Sequence, residues 1–309
     1  MTDRIPKALR RAAVGRRSGG RARQRPLAYL VGAVGLVRAR RRLGIPRAAS
    51  TLIAATAPLA AFRLGPPGRR RAAITWAAHM WAYEAAFEIP HDAPERQRRR
   101  LIVDWPIAAD TRLTPPAPPS LGLQRRLRHP PRLTALDYGL TFLYALWDLE
   151  PHAALAWILT RDERRFPAAA ARLAATFDLT LLGYWLVPQA PPWWASEEAG
   201  RMEGEVRRVA PEVMRELRGE PRPALTHYRG ANPWAAMPSD HFATALMTAA
   251  VLADSDPRLG LAGAVYALLL GFALIYLGEH YLVDLIAGAA LAGAVELALH
   301  RRFPLSIWA

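Results

Sequence analysis

Two apolar stretches of about 20 residues follow one another near the end of the sequence, over 259–277 and 281–299. The whole range 259–299, which covers both stretches, contains three acidic residues and neither Lys nor Arg. A helix needs about 20 mostly apolar residues to cross a bilayer, and two such helices in succession are unusual in a soluble domain. The pair predicts an integral membrane protein, against the alternative of a soluble all-helical protein with buried helices.

Further apolar stretches precede this pair and are separated by segments dense in arginine. Because the charges are segregated in this way, the mean hydropathy of the chain is only +0.01, although 52% of its residues are hydrophobic. The sequence therefore predicts an all-α fold, an integral membrane helical bundle of six or seven spans. The earlier stretches are 48–64, 72–89, 136–160, 167–187 and 242–253.

The remaining segments are polar. Residues 1–46 are expected to form a basic tail, disordered or bound to a surface, and residues 47–309 a membrane-embedded domain. Residues 90–132, rich in Arg and Pro, are expected to lie along a membrane surface. In 194–238 an apolar stripe on a charged helix predicts an amphipathic interfacial segment, either a cover over a site or an ordinary surface helix. The stripe consists of Met202, Val206, Val209, Val213 and Leu217.

The net charge of +15 comes almost entirely from arginine, since Lys7 is the only lysine. Such a balance indicates either nucleic acid or an anionic membrane face as the partner. The sequence has no helix-turn-helix, zinc-finger or RNA-binding signature, and its arginines lie beside apolar segments. We therefore expect a membrane and no nucleic acid. The absence of cysteine excludes disulfides, thiolate catalysis and thiolate metal sites.

A histidine and an aspartate stand at the start of the last apolar stretch. Ionisable residues within a span are costly, so each one is a candidate for a functional site. His280 and Asp284 are four residues apart, which places them on one face of a helix. A carboxylate in that position accepts a hydrogen bond from one imidazole nitrogen and leaves the other nitrogen as a nucleophile.

A second candidate group lies in 232–241, just before the stretch that begins at Phe242. Ser239 is placed to cap the following helix, and Pro238 fixes the entry of the chain. Free N–H groups at a helix start bind anions such as phosphate. We therefore expect His241 in the first helical turn, beside a bound anion.

These residues resemble the motifs of the type 2 phosphatidic acid phosphatase superfamily, Pro-Ser-Gly-His followed later by His-x-x-x-Asp. Here the first motif reads Pro-Ser-Asp-His over 238–241, and the second runs from His280 to Asp284. Asp240 replaces the family's glycine, where its charge either favours the acid form of His241 or caps the helix. The chain is most similar to the branch that includes inositol phosphorylceramide synthase. The segments that carry this likeness are 189–193, 236–241 and 276–281.

The resemblance covers roughly residues 134–299, the expected catalytic core, and implies a lipid phosphate phosphatase or phosphotransferase without metal or cofactor. His280 would attack phosphorus and form a phosphohistidine, His241 would protonate the leaving oxygen, and Asp284 would orient His280. Water or an acceptor alcohol, deprotonated by His241, would then take up the phosphoryl or phosphodiester group. The implied substrate is a phospholipid or polyprenyl phosphate. The implied location is the cell membrane, with the active site on the non-cytoplasmic side.

The sequence departs from the family at the positions that usually grip phosphate. Its first motif lacks the usual Lys and Arg, and Leu274 stands where an Arg usually precedes the second histidine. Arg229 is the expected substitute, with Arg201, Arg207 and Arg208 as further candidates. The expected substrate-binding residues are Ser239, Asp240, Asn232 and Arg229.

Two other classes fit parts of this pattern. Vanadium-dependent haloperoxidases use a similar histidine set, but they are soluble and keep the Lys and Arg that are missing here. The alternative function is a non-catalytic membrane protein, such as a transporter, that retains the fold. The intact His241, His280 and Asp284 argue against this alternative, and turnover of a generic phosphate ester would separate it from an enzyme.

Overall fold

The structure is a computed structural model that describes residues 7–88, 94–219 and 232–300. These residues form helices and no β-strand; extended pairing is limited to isolated bridges, such as those of Gln189 with Ile102 and Ala235. The prediction of an all-α fold is confirmed.

The chain divides into two compact units, Met1–Ile89 and Pro90–Ala309, whereas the sequence placed a boundary after residue 46. The first, here the N-terminal unit, begins with a long helix. Val37 of this helix lies in one apolar cluster with Ala54 and Ala82, so burial ties the helix to the rest of the unit. Its helices are α1 (Lys7–Leu43), α2 (Arg47–Ala55), α3 (Ala57–Phe62) and α4 (Arg69–Glu88).

The excess positive charge is confined to the N-terminal unit. Residues 1–89 hold 18 Lys and Arg against 3 Asp and Glu, whereas residues 90–309 hold 23 of each kind. The N-terminal unit therefore accounts for the whole net charge of +15.

The second unit, here the C-terminal unit, contains the predicted catalytic core. Helix α13 packs against α9, α10, α14 and α15 and so lies at the centre of this unit. Its helices are α5 (Pro94–Arg98), α6 (Asp104–Leu113), α7 (Pro119–Leu127), α8 (Ala135–Ala145), α9 (Glu150–Arg161), α10 (Phe166–Leu186), α11 (Pro192–Glu197), α12 (Val209–Arg218), α13 (Asp240–Ala253), α14 (Pro257–Tyr276) and α15 (Leu282–His300).

Small residues bring α13 and α14 close together. A Cβ atom added to Gly263 would lie 3.0 Å from the backbone of Ala249, and one added to Gly260 would clash with Ala253. Small residues are the usual means by which membrane helices approach each other closely. This packing fixes α13, which begins with His241 in its first turn, against the helix that leads to His280.

Two of the described helices, α14 and α15, are long and apolar enough to cross a membrane by length and composition. They coincide with the two stretches that the sequence singled out. Two other predicted spans are broken. The stretch 48–64 is divided at Thr56 into α2 and α3, with Pro58 in the first turn of α3. The stretch 136–160 is divided by a 3₁₀ turn, and Pro151 starts a new helix because its ring cannot continue the previous one.

The apolar stripe of 202–217 does not lie on one helix. Its first part is a 3₁₀ turn in which Glu203 has a φ of 58°, and only α12 is α-helical. Val209 and Val213 are buried in a cluster with Tyr276 and Leu277 of the α14 end. Pro211 falls in the first turn of α12, where it causes no kink. The segment therefore covers the end of α14, where His280 follows.

Candidate active site

His280 lies in the tight turn that joins α14 to α15. Helix α14 ends when Gly278 adopts a φ of +79°, and the N–H groups of Glu279 and His280 both bond to the carbonyl of Leu274, at 3.0 and 3.2 Å. A Cβ atom on Gly278 would lie 2.7 Å from the carbonyl oxygen of Arg207. Glycine is therefore required here both for its conformation and for space.

His241 lies in the first turn of α13, as the sequence predicts. The hydroxyl of Ser239 accepts the N–H of Phe242 at 3.3 Å and caps the helix. The N–H of Ser239 donates to the carbonyl of Asp284 at 3.0 Å. Gly288 allows this approach, because a Cβ there would lie 2.6 Å from the carbonyl oxygen of Ser239. The starts of α13 and α15 are thus held side by side.

The two histidines and the aspartate form one continuous array. Nδ1 of His241 lies 3.2 Å from Nε2 of His280, and Nδ1 of His280 lies 3.4 Å from Oδ2 of Asp284. A carboxylate oxygen only accepts, so we assign the proton of a neutral His280 to Nδ1. Its Nε2 then carries a lone pair that accepts the N–H of His241. This tautomer leaves Nε2 as the nucleophilic nitrogen.

Asp284 is fully buried and is held by groups beyond His280. Its Oδ2 accepts the N–H of Tyr281 at 2.8 Å, and its Oδ1 accepts the side-chain amide of Gln189 at 2.5 Å. The sequence singled out Gln189 only as the start of a motif that lacks cations. The structure places it behind Asp284, where it fixes the carboxylate that faces His280.

Aromatic side chains fix the ring of His241. Its centroid lies 4.2 Å from that of Trp147 and 5.1 Å from that of Tyr144, both in tilted contact. The indole N–H of Trp147 donates to the hydroxyl of Thr244, one turn along α13, at 2.8 Å. His241 is therefore held between two rings as well as by its bond to His280.

Among the three candidate cations that the structure describes, Arg208 lies beside the histidines. It forms two bonds to Glu279, at 2.7 and 2.9 Å, next to His280 in the chain. Its guanidinium lies over the ring of Trp193, 4.7 Å from the centroid. Burial lowers the pKa of Arg208, but Glu279 outweighs this effect and the pKa is raised. The site therefore contains a permanent positive charge.

The other two candidate cations that the structure describes lie away from the histidines. Arg201 pairs with Asp104 at the surface, with both side chains largely exposed. The side chain of Arg207 is half exposed and pairs with Glu197 and Glu212, at 3.3 and 3.6 Å. Arg229 lies outside the described residues.

Gln124 places the backbone that carries Arg208. Its side-chain amide donates to the carbonyls of Tyr276 and Arg207 at 2.8 and 2.9 Å, and its Oε1 accepts the N–H of Arg207 at 2.9 Å. Next along the chain, the N–H of Val209 donates to the carbonyl of Leu277 at 3.2 Å. These bonds attach the segment of Arg208 directly to the turn of His280.

The other predicted substrate-binding residues have local partners. Asp240 accepts the hydroxyl of Thr180 at 2.9 Å, and its N–H donates to the Tyr184 hydroxyl at 3.0 Å, so it anchors α13 to α10. Asn232 accepts the N–H of Trp234 at 3.1 Å within its own loop. Within the described ranges, no three His, Cys, Asp or Glu side chains are grouped so as to hold a metal ion.

The comparisons with known proteins agree with this geometry. A family model described as the PAP2 superfamily matches residues 119–298. That range contains both histidines, Asp284, Gln189 and Arg208. Neither the curated proteins nor the solved structures give a match.

Proposed function

Because the chain belongs to the PAP2 superfamily, we propose that it is a membrane-embedded enzyme that hydrolyses or transfers lipid phosphate esters through a phosphohistidine. The observation that carries the proposal is the continuous array from His241 through His280 to Asp284. It supplies an acid, a nucleophile with a free lone pair, and a carboxylate that stabilises the charge arising on the nucleophile.

In the first step Nε2 of His280 attacks phosphorus in line with the leaving oxygen. The N–P bond forms as the P–O bond breaks, and the leaving oxygen takes a proton from the protonated form of His241. The positive charge that develops on His280 is stabilised by Asp284, which Gln189 and the N–H of Tyr281 hold in place.

In the second step water or an acceptor alcohol attacks the phosphohistidine. His241, now neutral, takes the proton of the attacking hydroxyl, and the N–P bond breaks to restore the lone pair of His280. Hydrolysis gives free phosphate, and transfer gives a new phosphate ester or diester. The cycle returns both histidines to their starting protonation states without a metal ion or cofactor.

The direct hydrogen bond between the histidines has to open during this cycle. A phosphoryl group that reacts with Nε2 of His280 occupies the space in which Nδ1 of His241 now lies at 3.2 Å. We propose that substrate binding replaces this bond, and that His241 turns its N–H from His280 to the leaving oxygen. The two nitrogen atoms that form the hydrogen bond between the histidines are thus the same atoms that take part in the reaction.

We assign the phosphate-binding charge to Arg208, in place of the cations that the family's motifs usually provide. Its side chain is only 15% exposed beside the turn of His280, and its pairing with Glu279 keeps it oriented. A preorganised charge of this kind stabilises the charge on the phosphoryl oxygens in the transition state. Arg229, Ser239, Asp240 and Asn232 remain proposed substrate-binding residues.

The membrane setting is supported by the outer faces of α14 and α15, which expose large apolar side chains. Large apolar side chains exposed along helices of this length suit lipid. The sequence predicted six or seven spans. We propose six, made of α14, α15 and the four segments 72–89, 136–160, 167–187 and 242–253, without 48–64. The exposed side chains are Leu261, Val265, Leu268, Leu269, Phe272, Ile286 and Leu297.

We propose the cell membrane as the location, with the active site on the non-cytoplasmic side. The division of 48–64 into helices of 9 and 6 residues supports this orientation, because neither is long enough to span. The arginines before α4 then lie in the cytoplasm, as the positive-inside rule requires.

Turnover of defined substrates tests the proposal. Purified protein in detergent is incubated with phosphatidic acid, a polyprenyl phosphate and a phospholipid with an alcohol head group, with and without an acceptor alcohol. Release of phosphate from the monoesters is the result expected of a phosphatase. Exchange of the head group is the result expected of a transferase in the inositol phosphorylceramide synthase-like branch. No turnover of any phosphate ester, by protein with the expected fold, contradicts the proposal.

A further inference from the structure

A buried carboxylate from outside the family-matched residues reaches the start of α15. Asp110 lies in α6 and is fully buried, whereas the family model begins at residue 119. Its Oδ2 accepts the N–H of Leu282 at 2.8 Å, and its Oδ1 accepts the N–H of Val283 at 2.9 Å. These are the first two residues of α15, directly after the turn of His280.

The contact satisfies donors that a helix cannot satisfy by itself. The first N–H groups of an α-helix have no intrahelical acceptor. Around the start of α15, Asp284 accepts the N–H of Tyr281, and Asp110 accepts those of Leu282 and Val283. Two carboxylates therefore fix three consecutive N–H groups immediately after the nucleophile, one from within α15 and one from α6.

We propose that Asp110 is a positioning residue, which holds the turn of His280 so that Nε2 faces the phosphoryl group. This inference rests on the proposed phosphohistidine chemistry. Asp110 acts through the backbone of α15 and touches neither substrate nor the reacting atoms. Its loss leaves the substrate-binding charge of Arg208 in place but allows the first turn of α15 to shift. A displacement of about 1 Å at a reacting atom costs on the order of 100-fold in rate.

A carboxylate that caps a helix in a buried position carries an electrostatic cost, because burial disfavours its charged form. Burial raises the pKa of Asp110 to about 6, although the N–H groups of Leu282 and Val283 lower it and the nearby charge of Asp284 raises it further. A hydroxyl or amide would cap a helix without this electrostatic cost. The titratable groups near Asp110 are Asp284 and Tyr281, at the start of α15, and Asp104, which lies in α6 with Asp110. The cost is understandable if two acceptor oxygens are needed at once.

The test compares Asp110→Asn with Asp104→Asn, the same chemical change on the same helix at an exposed surface pair. Asp110→Asn should lower kcat by about 10- to 100-fold with KM changed less than about twofold. Asp104→Asn should leave both constants unchanged. If Asp110→Asn has a normal kcat, whether its KM is raised or unchanged, the inference is overturned.

A pH series provides a readout that a purely structural role would not give. Wild-type Asp110 loses its charge as the pH falls through about 6, so the wild type then comes to resemble the Asn variant. The ratio of wild-type to Asp110→Asn kcat should be large at pH 7.5 and should shrink several-fold at pH 5. Titration of the histidine pair affects both proteins and cancels in this ratio. A ratio that does not change with pH overturns the inference.

Two further variants separate the possible failures. If Asp110→Asn does not fold, Asp110→Ser, which keeps one acceptor, is measured in its place with the same expected fall in kcat. His280→Ala reports on the underlying chemistry. An inactive His280→Ala together with fully active Asp110→Asn overturns the positioning role alone, whereas an active His280→Ala overturns the proposed function itself.

Discussion

The helices α10, α13 and α15 carry different chemistry at their two ends. At the end away from the histidines, Arg172 of α10 is buried and pairs with Asp254 at the close of α13 and with Glu296 in α15. At the other end, α13 and α15 present His241 and the carboxylate that supports His280. The first end contains an ion pair of one arginine with two carboxylates, and the second end contains imidazole groups, which can exchange protons.

This difference separates stability from reactivity along the same helices. An arginine between two carboxylates keeps its charge at every physiological pH, so it ties the helices together but transfers no proton. An imidazole pair linked by one hydrogen bond has a proton to move and a lone pair to use. Substitutions at the arginine end should change the stability of the fold, and those at the histidine end should change turnover.

The largest effect is expected from His280→Ala. Removing the nucleophile removes the covalent step, so turnover should fall by at least about 10⁴-fold on every substrate. The measurement is phosphate release from the best lipid substrate, alongside the melting temperature, which should stay within a few degrees of the wild type. Substantial activity in a folded His280→Ala protein would place the nucleophile elsewhere.

His241→Ala should have the next largest effect, and one that depends on the leaving group. General acid catalysis contributes about 10²- to 10⁴-fold, so lipid substrates should lose activity in that range. An ester of p-nitrophenol needs little protonation of its leaving oxygen and should be turned over much closer to the wild-type rate. The control is His280→Ala, which should show no such recovery. Equal recovery in both variants would reverse or abolish the roles assigned to the two histidines.

Arg208→Ala should weaken turnover by about 2–4 kcal/mol in transition-state free energy, the usual cost of one preorganised charge-stabilising donor. Arg207→Ala is the matched control. Arg207 is the neighbouring residue in the chain, and its side chain is half exposed and pairs with Glu197. Steady-state kinetics of both variants decide the matter, with Arg207→Ala expected to match the wild type. If Arg208→Ala is unchanged, the substrate charge belongs to another residue, and Arg229→Ala becomes the variant to measure.

The smallest effect on chemistry is expected from Arg172→Leu, at the opposite end of the helices. Its two carboxylate partners, about 30% exposed, would lose their buried cation, although Glu296 keeps its contact with His300. We therefore expect a loss of roughly 2–3 kcal/mol in stability. Thermal unfolding in detergent should show a melting temperature lower by roughly 5–10 °C. The kcat of the folded protein should stay within about twofold of the wild type. A large fall in kcat without a change in melting temperature would show that the two ends are not independent.

The sequence identified the residues whose relation is local. His280 lies in the turn just before α15 and Asp284 lies in the first turn of that helix, while Ser239 caps the helix that carries His241. These groups are therefore brought together over a few residues of the chain. The two apolar helices were found in the same way, because length and composition suffice for them.

Partners that come from distant parts of the chain were not predictable. Gln189 meets Asp284 across 95 positions, and Asp110 meets Leu282 across 172. Such contacts depend on how whole helices pack, which no local pattern records. The position of Arg208 is of the same kind, since it depends on Glu279, 71 positions away. The broken helices at 48–64 and 136–160 were in principle visible, because a proline stands at each new start.

The most direct test of the account is to isolate the covalent intermediate. The protein is mixed with labelled phospholipid, quenched rapidly without acid, digested and examined by mass spectrometry, with His280→Ala treated in parallel. The account predicts an alkali-stable, acid-labile adduct on His280 alone, with the mass of phosphate for a phosphatase or of the phosphorylated head group for a transferase. It also predicts activity in EDTA and inhibition by orthovanadate, which imitates the in-line transition state. An active enzyme that forms no adduct on His280 and loses all activity in EDTA until Mg²⁺ or Mn²⁺ is restored would contradict the account.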